Sequence, residues 1–215
     1  LDVAKSHGWT ITKVLNTHEH HDHIEGNKNL IEETVATLLA HQAAPGVISG
    51  VDVALKGGDV VEGGETVRLR VLDTPGHTMS HICLLSKTQP PVLFSGDTLF
   101  NAGAGNCHSG GHPEALFTTF SMVLSKLPDD TQVYPGHDYI VNNLQFTLDR
   151  EPSNKAASNL LEQVIKQDTN NPAVTTIGLE KQINCFLRLN NPEIINNLKN
   201  TMPELPDKPC EKDVF

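Results

Sequence analysis

Thr17-His18-Glu19-His20-His21-Asp22-His23 holds four histidines and two carboxylates in seven residues. The run before it, Ile11-Thr12-Lys13-Val14-Leu15-Asn16, reads as a strand, and the stretch from Asn27 to His41 reads as a helix with His41 near its C-terminus. The cluster therefore falls on a turn at a strand end, where a rigid sheet can hold several ligands at one point. Neutral imidazole and carboxylate are the usual ligands of zinc, iron and manganese. Crowding such groups is expensive unless they are paired or bind a metal. A solvated histidine-rich loop is the poorer account, because three distant segments supply more ligands of the same kind.

Those segments are Pro75-Gly76-His77, Ser95-Gly96-Asp97 and Pro135-Gly136-His137. Each ends an apolar run, turns at a glycine and then presents a metal-capable side chain. Within the cluster, alternate side chains of an extended backbone share a face, so His18 and His20 can point the same way. Asp22 and His23 lie beyond the turn and can serve a second ion. The expected sets are His18, His20 and His77, and Asp22, His23 and His137, with Asp97 free to bridge them.

Residues 1–9 look like a helix end capped by Gly8. Residues 47–72 read as a meander of short strands (Val47-Ile48, 51–55, 59–61 and 66–72) turned at Gly57-Gly58 and Gly63-Gly64. Strands at 82–86 and 92–95 come next, then a helix over 113–127 opened by Pro113 and Glu114, and a strand at 132–134. From about Ile140 strand signals stop, and helical patterns run over 140–150, 154–168, 178–188 and 192–200, interrupted by prolines. The C-terminal stretch from Pro203, with Pro206 and Pro209, is expected to be loosely ordered. This divides the chain into a metal-binding domain, 1–139, and a helical C-terminal region, 140–215.

At 215 residues and 38% hydrophobic, the chain can bury a substantial core. A formal charge of -10 argues against a nucleic-acid groove and against an anionic membrane surface. No apolar run approaches a membrane span. Cys83, Cys107, Cys185 and Cys210 are scattered without a C-x-x-C pair, so buried thiols in a reducing compartment, the cytoplasm, are expected. No signal peptide is visible, although Leu1 is not an initiator methionine.

His18-x-His20-x-Asp22-His23, with His77, Asp97 and His137 downstream, resembles the metallo-β-lactamase superfamily pattern. More closely, the chain resembles glyoxalase II, the hydroxyacylglutathione hydrolases. The matching segments are 74–78 with His81-Ile82-Cys83, 94–100, Tyr134-Pro135-Gly136-His137-Asp138-Tyr139 with 143–146, and Thr176-Ile177-Gly178-Leu179-Glu180-Lys181 with Asn184-Cys185-Phe186-Leu187-Arg188. The resemblance implies an α/β fold, an αββα sandwich, with two divalent metal ions, zinc first and iron or manganese as substitutes. Against that family the chain begins late, and the strands that normally precede the first helix are not in it. The implied reaction is thioester hydrolysis. Two ions about 3.5–4 Å apart lower the pKa of a shared water toward about 7, and a thiolate leaves readily because a thiol pKa is about 8.5. Asp22 and Asp97 are the expected catalytic carboxylates, Asp97 as the bridge.

The substrate side departs from the family. Its loop usually reads Gly-Cys-Gly-Arg/Lys-x-Phe/Tyr-Glu-Gly, whereas here Asn106 replaces the cation and His108 the aromatic in 103–110. Tyr139, Arg188, Asn106 and His108 are the candidate substrate contacts, but the second basic residue expected just after Arg188 is replaced by Leu189-Asn190-Asn191. Thioester hydrolysis is therefore expected with weakened glutathione preference. The alternative is a persulfide-dioxygenase-like enzyme holding one iron on His18, His77 and Asp97. A non-enzymatic relative that keeps only the fold is a third reading, which the full ligand set opposes. His21 is expected to support a ligand or face solvent, His81 to make a structural hydrogen bond, His112 to sit at a helix entry, and Glu19 to orient a ligand or lie on the surface.

Overall fold

The computed structural model, which describes residues 1–168 and 171–215, stacks helix, sheet, sheet and helix. After a short helix α1 (Asp2–Ser6), strands β1 (Lys13–Leu15), β2 (Thr37–His41) and β3 (Val53–Leu55) form a parallel three-stranded sheet. Two helices, α2 (His21–Ile24) and α3 (Asn27–Thr34), make the crossover from β1 to β2. Next, β4 (Val60–Gly63), β5 (Val67–Asp73), β6 (Ile82–Ser86) and β7 (Val92–Gly96) build an antiparallel meander. A small ribbon, β8 (Leu99–Phe100) and β9 (Gly103–Ala104), precedes helix α4 (Pro113–Met122). Strand β10 (Gln132–Pro135) then joins parallel to β7, and β11 (Thr175–Thr176) antiparallel to β10, giving a six-stranded sheet in the order β11-β10-β7-β6-β5-β4. Helices α5 (Ile140–Arg150), α6 (Lys155–Val164), α7 (Ile177–Ile183), α8 (Pro192–Thr201) and α9 (Glu211–Val214) complete the chain. No helix among the described residues is long and apolar enough to cross a membrane.

Burial explains the layering. Leu39 and Leu55 of the first sheet meet Val61, Val71, Ile82 and Leu84 of the second between the sheets. Leu38 and Ala40 point the other way, toward Ile24 and Ile31 on the helices outside. Cys83, Leu93 and Val133 back the second sheet onto Leu116 and Phe120 of α4. The functional consequence lies at the strand ends. His18 comes after β1, His77 after β5, Asp97 after β7 and His137 after β10, so the sandwich delivers all four stations to neighbouring turns.

Several expectations need correction. The stretch 27–41 is not one helix: α3 ends at Val35, left-handed at φ 56°, and the chain re-enters as β2. A strand buried on both faces is a continuous apolar run, and Leu38-Leu39-Ala40 therefore carries no alternation to distinguish it from a helix. His41 is accordingly a buried strand residue, not a helix terminus. Its Nδ1 accepts from the Ala43 N–H, and its Nε2 lies 3.4 Å from Asp73 Oδ1. Residues 53–55 belong to the first sheet and not to the meander, and Val47-Ile48 forms no strand. Strand signals also do not end at 140, because β11 adds to the main sheet.

The C-terminus is ordered by its last two side chains. Val214 is buried, and Phe215 packs edge-on against Phe117, Phe120 and Phe186 at ring-centroid distances of 5.6, 5.3 and 5.3 Å. Prolines in the preceding segment gave no sign of this anchor. Phe215→Ala should cost about 2 kcal/mol, below the range for a fully buried aromatic because the ring is half-buried. Urea unfolding checks this, and the metal content of the variant should be unchanged.

Candidate metal centre

The histidine loop is fixed before any ligand is considered. Asn16, at the end of β1, donates Nδ2 to the His23 carbonyl (2.8 Å), while Asn27 Nδ2 donates to Asn16 Oδ1 (2.7 Å). This buried amide pair joins the entrance and exit of the loop. Glu19 Oε2 accepts from Thr78 Oγ1 (2.8 Å) and Ser80 Oγ (2.6 Å), tying the loop to the segment that carries His77. Sequence reading missed Asn16, Asn27, Thr78 and Ser80. The only signal from Asn16 and Asn27 was a polar residue at a strand end and at a helix start, and Thr78 and Ser80, in the turn between β5 and β6, gave none.

The seven candidate ligands converge. Ligand atoms of His18, His20 and His77 lie within 4.8 Å of one another, as do those of His18, His23 and Asp97, and those of Asp22, His23 and His137. Asp97 reaches across the sets: its Oδ1 is 3.3 Å from His23 Nε2, and its Oδ2 is 3.4 Å from His137 Nε2 and 3.8 Å from His77 Nε2. Asp22 Oδ2 lies 3.0 Å from His137 Nε2 and 3.5 Å from His23 Nε2, on the more exposed side.

The donor set fits a cation. His20 Nε2 donates to the Ser109 carbonyl (2.9 Å) and His77 Nδ1 to the Asn106 carbonyl (2.6 Å), since a carbonyl can only accept. That leaves lone pairs on His20 Nδ1 and His77 Nε2 facing each other at 3.0 Å, with His18 Nε2 3.1 Å from the same His20 nitrogen. Asp97 Oδ1 is buried without a satisfied hydrogen bond. Converging lone pairs and an orphaned carboxylate oxygen are unfavourable unless positive charge is shared among them.

Two glycines make room for this. Gly96 sits at φ 48°, and a Cβ there would come within 2.7 Å of His81 Nε2 and 2.8 Å of Thr17 Oγ1. A Cβ on Gly136 would strike Asp97 Oδ1. His81 behaves as expected: its Nε2 accepts the Asp97 N–H (3.1 Å), and its Nδ1 lies 2.9 Å from Thr98 Oγ1 and 3.0 Å from Thr74 Oγ1. His21 faces solvent beside Glu25, also as expected.

Comparison with known proteins identifies the family. The family described as "Metallo-beta-lactamase superfamily" matches residues 1–137, and "Hydroxyacylglutathione hydrolase C-terminus" matches residues 138–213. The chain belongs to the hydroxyacylglutathione hydrolase family. A relative of that name from Polaromonas sp. is 58% identical over all of this chain and 82% of its own length. Another from Nitrosococcus oceani is 56% identical with the same coverage. Among solved structures, ETHE1 from Myxococcus xanthus superposes with a TM-score of 0.67 at 30% identity, covering 96% of this chain and 75% of that one. TTHA1623 "in a di-iron-bound form" gives 0.60 at 25% identity, covering 86% and 82%.

Within the hydroxyacylglutathione hydrolase fold, the four candidate substrate contacts divide. Tyr139 stands at the centre, stacked on His137 (centroids 5.3 Å, 18°) and edge-on to Phe100 (5.2 Å). Asn106 and His108 are exposed on the adjoining loop, where the Asn106 side chain accepts the His108 N–H (3.1 Å) and is spent on its own turn. The contribution of Asn106 to the centre is its backbone carbonyl. Arg188 lies apart. Its Nε and Nη2 bind Glu151, a buried carboxylate, and Nη1 donates to the Lys181 carbonyl. It lines a cavity of about 490 Å³ between α4 and the C-terminal segments, which none of the seven ligand candidates touches.

Burial lowers the His18 pKa to about 3, helped by the neighbouring His23. Burial also lowers His77 and holds His81 well below the ordinary value. Burial opposes ionisation of Asp97, but His23, 3.3 Å from Oδ1, and the surrounding histidines outweigh it and keep the carboxyl below its usual range. Burial thus favours neutral imidazole at His18 and His77 beside ionised Asp97, the state that binds metal, whereas the adjacent Asp97 carboxylate raises His23. Histidines that are neutral when folded but protonate when unfolded contribute stability above about pH 6.5, lost as pH falls toward the folded value. Each such group should cost about 1.4 kcal/mol per pH unit below about 6.5. Calorimetry of chelator-treated protein at pH 7.5 and pH 5 should therefore show a clearly lower Tm at pH 5.

Proposed function

We propose that this chain is a dinuclear metal-dependent thioester hydrolase of the hydroxyacylglutathione type, with zinc as the first choice of metal and His18, His20, His77, Asp22, His23, His137 and Asp97 as its ligands. The observation that carries the reading is Asp97, buried between two histidine groups with Oδ1 facing His23 and Oδ2 facing both His137 and His77. Relatives at 56–58% identity across the full chain bear the hydrolase name, which favours this reading over a single-iron enzyme. Residues 1–139 act as the metal-binding domain and 140–215 as the helical region that closes it.

Bound divalent metal supplies an activated water and polarises the acyl carbonyl. The chain's residues do the rest. Asp97 orients the nucleophile between the two groups, and Asp22, half-exposed at the mouth, takes part from the solvent side. Tyr139 offers an aromatic face and a hydroxyl to the substrate beside His137. The leaving thiolate needs no dedicated acid, because a thiol pKa is about 8.5. The substrate is a small-molecule thioester whose thiol part is gripped less firmly than in relatives with a cation at position 106. Four free cysteines, two of them buried, support a cytoplasmic setting.

Elemental analysis of purified protein with turnover of lactoylglutathione and of a simple acyl thioester tests this. The expected result is two ions per chain and hydrolysis of both substrates without oxygen uptake. One iron per chain with oxygen consumption would overturn it. Asp97→Asn should lower kcat/KM by at least about 100-fold, more than the loss of a residue that only orients a ligand. Asn106→Lys should lower KM for the glutathione thioester by roughly 10-fold, the value of one charge-assisted contact, and leave the simple thioester unaffected.

A further inference from the structure

The turn Asn101–Gly103 joins β8 to β9 four residues after Asp97, and Ala102 within it adopts φ 58°. A non-glycine residue in that region is strained and persists only where its surroundings hold it. The holding groups come from the helical region. Asn143 of α5 donates Nδ2 to the Asn101 carbonyl (2.9 Å). Glu180 of α7 accepts the Ala102 N–H on its two oxygens (3.1 and 2.9 Å). Asn184 donates Nδ2 both to the Gly103 carbonyl (3.0 Å) and to Glu180 Oε2 (2.9 Å). Asn101 Nδ2 in turn reaches Thr175 Oγ1 (2.7 Å) on β11.

The residues just past the turn belong to the metal centre. The Gly105 N–H donates to the Thr98 carbonyl (3.2 Å), and a Cβ on Gly105 would overlap the Asp97 carbonyl and come within 2.8 Å of His77 Nδ1. Beyond Gly105, the Asn106 and Ser109 carbonyls orient His77 and His20. A shift of the turn would move the Asp97 backbone and both orienting carbonyls together. Glu180 and Asn184 are fully buried, and burial pushes the Glu180 carboxyl up to about 7 against the donors around it. An ionisable group costs the fold something at such a place, so its use lies in what it holds.

We propose that Glu180, assisted by Asn143 and Asn184, is a positioning residue for the metal centre, fixing through the Ala102 N–H the loop that orients His77, His20 and Asp97. The kinetic side rests on the hydrolase reading; the metal side does not. The test uses the full chain loaded with zinc and four variants: Glu180→Ala, Glu180→Gln, Asn184→Ala and, as a control, Asn154→Ala. Asn154 caps α6 and does not touch the turn. Zinc transfer to a chromophoric chelator, Tm, kcat and KM are measured for each.

Glu180→Ala should hold zinc roughly 10- to 100-fold less tightly, with kcat lowered and KM little changed. Asn184→Ala should move in the same direction. Glu180→Gln keeps one oxygen for the Ala102 N–H and should recover part of the loss. Asn154→Ala should lower Tm yet release zinc at the parental rate. Zinc release that tracks Tm across all four variants, or parental release from Glu180→Ala, overturns the proposal. Should the parent protein load zinc but turn over no thioester, the hydrolase reading falls, while the ranking of zinc release still supports the positioning role.

Discussion

A buried carboxylate surrounded by imidazole lone pairs is the constraint on which this molecule depends. Asp97 cannot satisfy its inward oxygen from the protein, and His20 and His77 turn bare nitrogens toward each other because carbonyls of one loop occupy their opposite edges. Each choice is unfavourable in a metal-free protein. Together they form a set of donors held open against their mutual repulsion by strands that cannot move independently. The parallel pairing of β7 with β10 matters most, since it brings the turns carrying Asp97 and His137 side by side.

The backbone accepts further costs for the same end. Gly96 takes a left-handed conformation and Gly136 gives up a side chain so that Asp97, His81 and His23 can approach as closely as they do. His81 is kept neutral by burial so that it can accept the Asp97 N–H, and two threonines face its other nitrogen. The neighbours of the ligands are therefore as strictly chosen as the ligands themselves.

This difference governs what the sequence disclosed. The ligand candidates were legible because coordination chemistry admits few residue types, four of them crowd into one loop after a strand, and His77, Asp97 and His137 each follow a strand-end glycine. The sandwich was legible through the resemblance those residues carried. Strand β2 was not, because Leu38-Leu39-Ala40 is buried on both faces and has no period to read. The partner of Arg188 was hidden for a related reason. A cation in a family motif suggests an anionic ligand, but its partner is Glu151, 37 positions earlier in the chain. Long-range polar pairs leave no local pattern, and the Asn16–Asn27 and Glu19–Ser80 contacts were hidden in the same way.

The helical region shows the principle at larger scale. Sequence presents it as an appendage, separated by composition and by its own family match at 138–213. Structurally it lends a strand to the main sheet and the side chains of Asn143, Thr175, Glu180 and Asn184 to one turn of the other half. A domain that only covered a substrate would need contacts at the mouth, where Tyr139 stands. Contacts on the Asn101–Gly103 turn lie behind the ligands, and their effect is on the ligands' geometry. The two halves are thus coupled through backbone amides and carbonyls, groups every residue carries, and this leaves the coupling invisible until the chain is folded.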